Sequence, residues 1–354
     1  MSIQNILETM EYGVAPEDDS QARKWLAKHE GGFGHFIDGA MTKPGDLFEV
    51  RDPASDTVLA RVTQGSASDV DAAVAAARKA QSGWAKLSGH QRATHLYALA
   101  RHIQQHSRLL AVLETLDSGK PIRESRDIDI PLVARHFYHH AGWAEILEDE
   151  LPGHSAQGVC GQIIPWNFPL LMLSWKVAPA LVAGNTIVLK PSPFTPLTTL
   201  RIAELIKDVV PAGTVNIITG EDTLGPLITG HPDIDKITFT GSTATGKKIM
   251  EGAAGDLKRI TLELGGNDAS IVLPDADVEK VAEQLFWSSF SNAGQVCIAA
   301  KRIYIHEDIY DDLSKAIAEY AKTVVVGDGS QQGTGVGPIQ NKKQYERVLE
   351  LIQD

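Results

Sequence analysis

The chain has 354 residues, of which 43% are hydrophobic and 22% charged, and its formal net charge is -12. That length allows roughly two or three globular domains, and the composition is that of a folded globular protein, not of a disordered or fibrous chain. The acidic balance, with no stretch concentrating Lys and Arg, argues against nucleic acid or an anionic membrane surface as the main partner.

Residues 1–30 are polar and mixed and read as an N-terminal extension. No basic region followed by an apolar core precedes a cleavage site there, so no signal peptide is expected. From His35 to Val62 the pattern is strand and turn, with Asp38-Gly39 and Asp52-Pro53 as turn chemistry. Ser66 to Asp69 offers a capping box, and the alanine-rich run to Ala80 predicts a helix. Two further helices are expected over Gln91–Asp117 and Ile122–Glu148, divided by Gly119-Lys120-Pro121. The stretch from Leu151 to Trp175 has no Asp, Glu, Lys or Arg, but Pro152, Pro165, Pro169 and several glycines interrupt it. It reads as a buried strand and a buried helix, not as a membrane span.

Beyond Gly158 short apolar strands alternate with helices. Strands are expected at Thr186–Lys190, Val215–Ile218 and Lys236–Thr240, with helices at 198–210, 223–229 and 243–251. This is the texture of βα units on a parallel sheet, which binds ligands at the carboxyl ends of its strands. Lys190, Gly220 and Gly241 therefore belong on one rim.

Several runs carry chemistry. Cys297, in Asn292-Ala-Gly-Gln-Val-Cys297, supplies a thiol that can attack a carbonyl. Glu263, in Leu262-Glu-Leu-Gly-Gly-Asn267, supplies a carboxylate beside glycines that let water and substrate approach. Together they suggest covalent catalysis through a thioester, then hydrolysis. Pro165-Trp-Asn-Phe-Pro169 holds the Asn167 amide between two prolines, where it can donate to an oxyanion or simply form a rigid turn. Gly241-Ser-Thr-Ala-Thr-Gly246 follows a strand and opens a helix, as a phosphate-binding turn does. It nearly fits a P-loop with Lys247, but Lys248 stands where a hydroxyl should hold Mg²⁺. His136, His139 and His140 lie at helical spacing without a cysteine or carboxylate to complete a site, so no metal is expected. Cys160 sits in an apolar run and reads as core. Two cysteines make no disulfide framework, which points to a reducing, cytoplasmic setting.

Taken together, Pro165–Pro169, Lys190-Pro-Ser-Pro193, Phe239-Thr-Gly-Ser-Thr243, Leu262–Gly266 and Gly294-Gln-Val-Cys297 resemble the aldehyde dehydrogenase superfamily from about Phe36 onward. The resemblance implies an α/β fold: a Rossmann-like parallel-sheet cofactor domain over 31–264, a bridging hairpin near 145–162, and an incomplete α/β catalytic domain over 265–354. It implies NAD(P)-dependent oxidation of an aldehyde to a carboxylic acid. Cys297 matches the nucleophile, Glu263 the base, expected in a partly desolvated pocket, and Asn167 with the Cys297 amide the oxyanion hole. Ile164, Pro165, Trp166, Lys190, Ser192, Gly220, Phe239, Gly241, Ser242, Thr245 and Leu264 match the cofactor site. Phe168, Met172, Trp175, Val296 and Ile298 match the aldehyde tunnel.

The chain departs from the family pattern in three places. Pro193 stands where many NAD-selective members carry a glutamate, so NAD and NADP both stay open. Ala244 replaces a common glutamate in the phosphate turn. The later Glu-x-Phe-Gly-Pro segment and the pairing tail are absent, so a fragment of a longer, homo-oligomeric protein is expected. The first part resembles family-16-type members, and the part after Lys190 another bacterial branch. A CoA-acylating relative, a P-loop nucleotide binder and a truncated chain without activity are the alternatives.

Overall fold

The computed structural model describes residues 18–353, so the first part of the expected N-terminal extension lies outside the described residues. Among the described residues the main sheet has seven strands in the order β2-β1-β7-β6-β5-β8-β9. These are β1 (Phe36–Ile37), β2 (Ala40–Met41), β5 (Val159–Ile163), β6 (Thr186–Lys190), β7 (Val215–Ile217), β8 (Lys236–Thr240) and β9 (Arg259–Glu263), while β3 (Leu47–Arg51) and β4 (Val58–Thr63) form a separate antiparallel pair. The five strands from β7 to β9 are parallel, and β1 and β2 extend the edge antiparallel. Chain order runs outward from β5 to β6 and β7, then returns to β8 and β9 on the other side. The order therefore reverses between β5 and β8, where the crevice of an open α/β sheet forms.

Burial explains why these segments are strands. Every residue of β6 is buried, as a parallel strand covered by helices on both faces requires. The expected capping box is present: the Ser66 side chain accepts from Asp69 N while the Asp69 carboxylate accepts from Ser66 N. Such a cap stabilises a helix by about 1 kcal/mol, and the helix continues beyond Ala80 to Ala85.

The structure corrects three boundaries. The helix expected over Gln91–Asp117 is two helices, Gly89–Gln105 and Ser107–Ser118, meeting at His106. The helix after Pro121 starts as one turn, Ile122–Glu124, passes through a π turn over Ser125–Asp129, and continues as Ile130–Glu150. Finally, 145–162 holds no hairpin. Residues up to Glu150 continue the helix, Pro152 and Gly153 turn the chain, and Val159–Ile163 is β5 at the centre of the sheet. Val159 and Cys160 are buried between parallel neighbours, which a solvent-spanning hairpin strand would not be.

After Glu263 a second unit begins. β10 (Asp268–Val272) pairs in parallel with β11 (Ala300–Ile305), and helices Val278–Phe290 and Tyr310–Thr323 pack on this pair around Val272, Ala282, Leu285 and Leu313.

Candidate active site

Lys190, Gly220 and Gly241 stand at or just past the ends of β6, β7 and β8, on one rim as expected. Ile164 leaves β5 toward the same rim, and its amide donates to Lys190 O at 3.1 Å. Pro165 and Trp166 follow, half-buried. Asn167 lies before helix Pro169–Val182, with Pro169 at its first position, where the missing N–H costs nothing.

Asn167 is held on both sides of its amide. Its Nδ2 donates to Gln295 O at 2.9 Å, and its Oδ1 accepts from Phe168 N at 3.1 Å. An Nδ2 group carries two hydrogens, so the second can serve an incoming oxyanion. Asn292 closes the arrangement: its Nδ2 donates to Asn167 O at 2.9 Å and to Gln295 O at 3.4 Å. The loop before the thiol is thus tied to the Asn167 turn across the crevice.

That loop is strained. Asn292, Ala293 and Gly294 have φ of 50°, 55° and 75°, three consecutive residues in the left-handed region. For each of the two non-glycine residues this costs about 1–2 kcal/mol. Asn and Gly are frequent there, but nothing in an alanine announces it. Glu124, buried in the short turn 122–124, accepts from Asn292 N with both oxygens at 3.0 and 3.2 Å. Gln295 Nε2 donates to Asn292 O at 2.9 Å, and Gln340 N donates to Gln295 Oε1 at 2.9 Å.

Cys297 is half-buried just beyond the strained residues. Gly266 backs onto it: a Cβ there would come within 2.4 Å of Cys297 O. Gly266, three residues after Glu263, therefore lies directly against the backbone of Cys297. Glu263 ends β9 opposite Thr240 and is exposed, so the expected partly desolvated pocket is not what surrounds it. Exposure leaves the carboxylate open to water.

Beneath this rim lies Lys176, whose Nζ donates to Thr240 Oγ1 at 2.5 Å. Burial pulls its pKa down to about 8, against the opposing pull of Glu263. The sequence reading missed it, although a lysine in the otherwise uncharged helix 169–182 was the available signal, one residue beyond the uncharged run. Lys190 is only 3% exposed, yet among the described residues its Nζ has just a long 3.4 Å contact to Pro191 O. Burial lowers its pKa to about 8, partly countered by Asp222 and Glu221 on the loop after β7. A buried ammonium with so poor a partner is chemically incomplete; ribose hydroxyls are acceptors of the right kind.

The other residues expected at a cofactor site, Ser192, Gly220, Gly241, Ser242 and Leu264, follow the carboxyl ends of β6 to β9. Gly241 follows β8 with Phe239 packed so closely that a Cβ would meet its ring at 2.5 Å. Ser242 caps helix Thr243–Ala254 by accepting from Thr245 N, and Leu264 fills the space beside Gly246. This helix N-terminus suits a phosphate. Lys247 and Lys248 are exposed. Ser192 is buried and its Oγ accepts from Phe194 N, while Gly220 lies under Leu224.

Phe168, Met172 and Trp175 fall one helical turn apart. Phe168 stacks under the buried Lys120 ammonium at 3.7 Å, and Met172 is 6% exposed. Trp175 is 44% exposed and donates through Nε1 to His136 Nε2 at 2.6 Å. Val296 is half-buried, whereas Ile298 is 70% exposed. The histidines make ring contacts and no metal cluster occurs among the described residues. Burial pushes the Cys160 thiol up to about 12, as befits a core residue.

Comparison with known proteins bears on the family and the fold. A sequence model of the aldehyde dehydrogenase family matches residues 40–354. The chain is 43% identical over 323 residues to a mitochondrial aldehyde dehydrogenase of Leishmania tarentolae, covering 88% of this chain and 65% of that one. It is 43% identical over 325 residues to human aldehyde dehydrogenase 1A1, covering 87% and 65%. The solved NAD+ complex of an aldehyde dehydrogenase from Bacillus cereus superposes with a TM-score of 0.89 at 40% identity, covering 93% of this chain and 70% of that one. The chain spans about two thirds of the length of these relatives, from 62% of an Arabidopsis thaliana mitochondrial aldehyde dehydrogenase to 68% of a Bacillus subtilis one named as putative. From its sequence and its fold alike, the chain belongs to the aldehyde dehydrogenase family.

Proposed function

We propose that this chain oxidises an aldehyde to a carboxylic acid with NAD or NADP, through a thioester on Cys297. The observation that carries the reading is the tie between the Asn167 amide and the loop ending in Cys297, with Gly266, three residues after Glu263, against the Cys297 backbone. The Cys297 thiolate adds to the carbonyl carbon, and the spare Asn167 N–H meets the resulting oxyanion. A donor of this kind lowers the barrier by roughly 3–4 kcal/mol. The dinucleotide, when bound, supplies the hydride acceptor. Glu263, open to water, draws a proton from the molecule that cleaves the thioester.

Lys190 would hold the adenosine ribose, and Ser242, Thr245 and Gly241 would cradle the pyrophosphate. Ile164, Pro165, Trp166, Ser192, Gly220, Phe239 and Leu264 complete that wall. Residues 31–264 then act as the cofactor domain and 265–354 as part of the catalytic domain. Phe168, Met172, Trp175, Val296 and Ile298 face the aldehyde. The protein is read as a cytoplasmic homo-oligomer, with the two free cysteines supporting a reducing compartment; among the described residues no helix is long and apolar enough to cross a membrane.

The test is turnover of the 354-residue chain with aldehyde and NAD or NADP, with and without CoA. Acid released without CoA, and lost in Cys297→Ala, is the expected result. Strict dependence on CoA would move the reading to the acylating class, and no turnover at all would sink it.

A further inference from the structure

We infer that Glu124 is a positioning residue for the nucleophile loop, holding Asn292–Gly294, ahead of Cys297, in their left-handed conformation from outside the segments that carry the chemistry. The inference rests on the proposed function above, but its first readout does not. Glu124 is 7% exposed, and both of its oxygens accept the Asn292 amide at 3.0 and 3.2 Å. Asn292 is the residue whose side chain ties the loop to Asn167. One contact therefore reaches both the thiol and the oxyanion donor.

The short helix around Glu124 touches the loop's approach a second time. The Arg123 guanidinium lies 4.1 Å over the Trp287 ring, in the helix that delivers the loop, and Ser291 Oγ donates to Trp287 O. The turn itself is fixed from below by the buried Lys120–Asp129 pair, and Ile122 N donates to Gly329 O at 2.8 Å. On the far side Gln340 completes the clamp. Its backbone amide binds the Gln295 side chain, and its own Nε2 donates to Asp117 O and Phe194 O at 3.2 and 3.3 Å. The three left-handed residues are thus gripped at Asn292 by Glu124 and at Gln295 by Gln340. A loop that prefers to relax has little freedom to do so.

Only an acceptor is required at position 124, so an amide oxygen should serve where a methyl cannot. The experiment compares Glu124→Gln and Glu124→Ala in the full chain. The first readout is the rate at which iodoacetamide alkylates Cys297, followed by peptide mass spectrometry with buried Cys160 as the internal reference. The second is kcat and KM for aldehyde oxidation. Glu124→Ala is expected to change the Cys297 alkylation rate several-fold and to lower kcat about 10- to 100-fold, the scale of a misplaced reacting group. KM should hold within about threefold, since ground-state binding is left in place, and Glu124→Gln should restore both readouts to near wild type. Should Glu124→Ala not fold, hydrogen exchange of the peptide around Asn292 decides. A protected Asn292 amide in wild type and Glu124→Gln supports the assignment; free exchange in wild type overturns it. Wild-type alkylation and kcat in a folded Glu124→Ala, or a Glu124→Gln as impaired as Glu124→Ala, would also overturn it. Absence of aldehyde turnover in the wild type would instead count against the proposed function and leave the alkylation comparison to judge Glu124.

Discussion

Replacing Gly266 with alanine puts a methyl group against the backbone of the proposed nucleophile. The new Cβ would lie 2.4 Å from Cys297 O and 2.8 Å from Asp268 Oδ1. The Asp268 side chain can rotate away, but the Cys297 carbonyl is backbone and cannot. Ordinary contact begins near 3.4 Å, so the two segments must part by about 1 Å, a displacement that can cost about 100-fold in rate. Gly266 is exposed and its φ is not in the left-handed region, so the fold should lose no more than about 1–3 kcal/mol, the usual range for overpacking. The assay is kcat for aldehyde oxidation together with iodoacetamide alkylation of Cys297 and a thermal melt. Gly265 supplies a matched control, because a Cβ there meets nothing within 4 Å. Gly265→Ala should alkylate at Cys297 within about twofold of wild type, an ordinary surface change. A Gly266→Ala protein with wild-type turnover and alkylation would refute the reasoning that places Cys297 against this segment.

Asn167→Ala should lower kcat by about 10²–10³-fold with little change in aldehyde KM, because its second N–H acts only on the oxyanion; steady-state kinetics check this. Lys190→Met should weaken dinucleotide binding in fluorescence titration yet raise the melting temperature at pH 7, since it removes a buried cation. Because the folded pKa of Lys190, about 8, lies below the ordinary lysine value of 10.5, the unfolded chain binds the extra proton between those values. Wild-type stability should therefore rise with pH across that window, and the advantage of Lys190→Met should shrink by about pH 10. Asp222→Asn and Glu221→Gln should shift binding toward NADP by several-fold, since carboxylates facing Lys190 disfavour a 2′-phosphate and Pro193 supplies none; paired titrations with NADH and NADPH measure it.

The alternation of βα units was legible because a covered parallel sheet needs short apolar strands, and Thr186–Lys190 and Lys236–Thr240 have the expected bounds. Local capping chemistry at Ser66 was legible for the same reason: the partners are three residues apart. What sequence could not supply were contacts closed by the fold. Glu124 meets Asn292 across 168 residues, and Gln340 meets Asp117 across 223. The break at His106 and the π turn over Ser125–Asp129 leave the apolar rhythm nearly intact. The hairpin near 145–162 came from family resemblance, and this chain's own Pro152-Gly153 turn leads straight from helix to central strand.

The central claim is the covalent one, and acid-quenching the chain during turnover with aldehyde and NAD tests it most directly. Peptide mass spectrometry should find the acyl group on the peptide containing Cys297, and more of it in Glu263→Gln, where hydrolysis is slowed. Continued aldehyde oxidation by Cys297→Ala, or an acyl group carried on any other residue, would contradict the account.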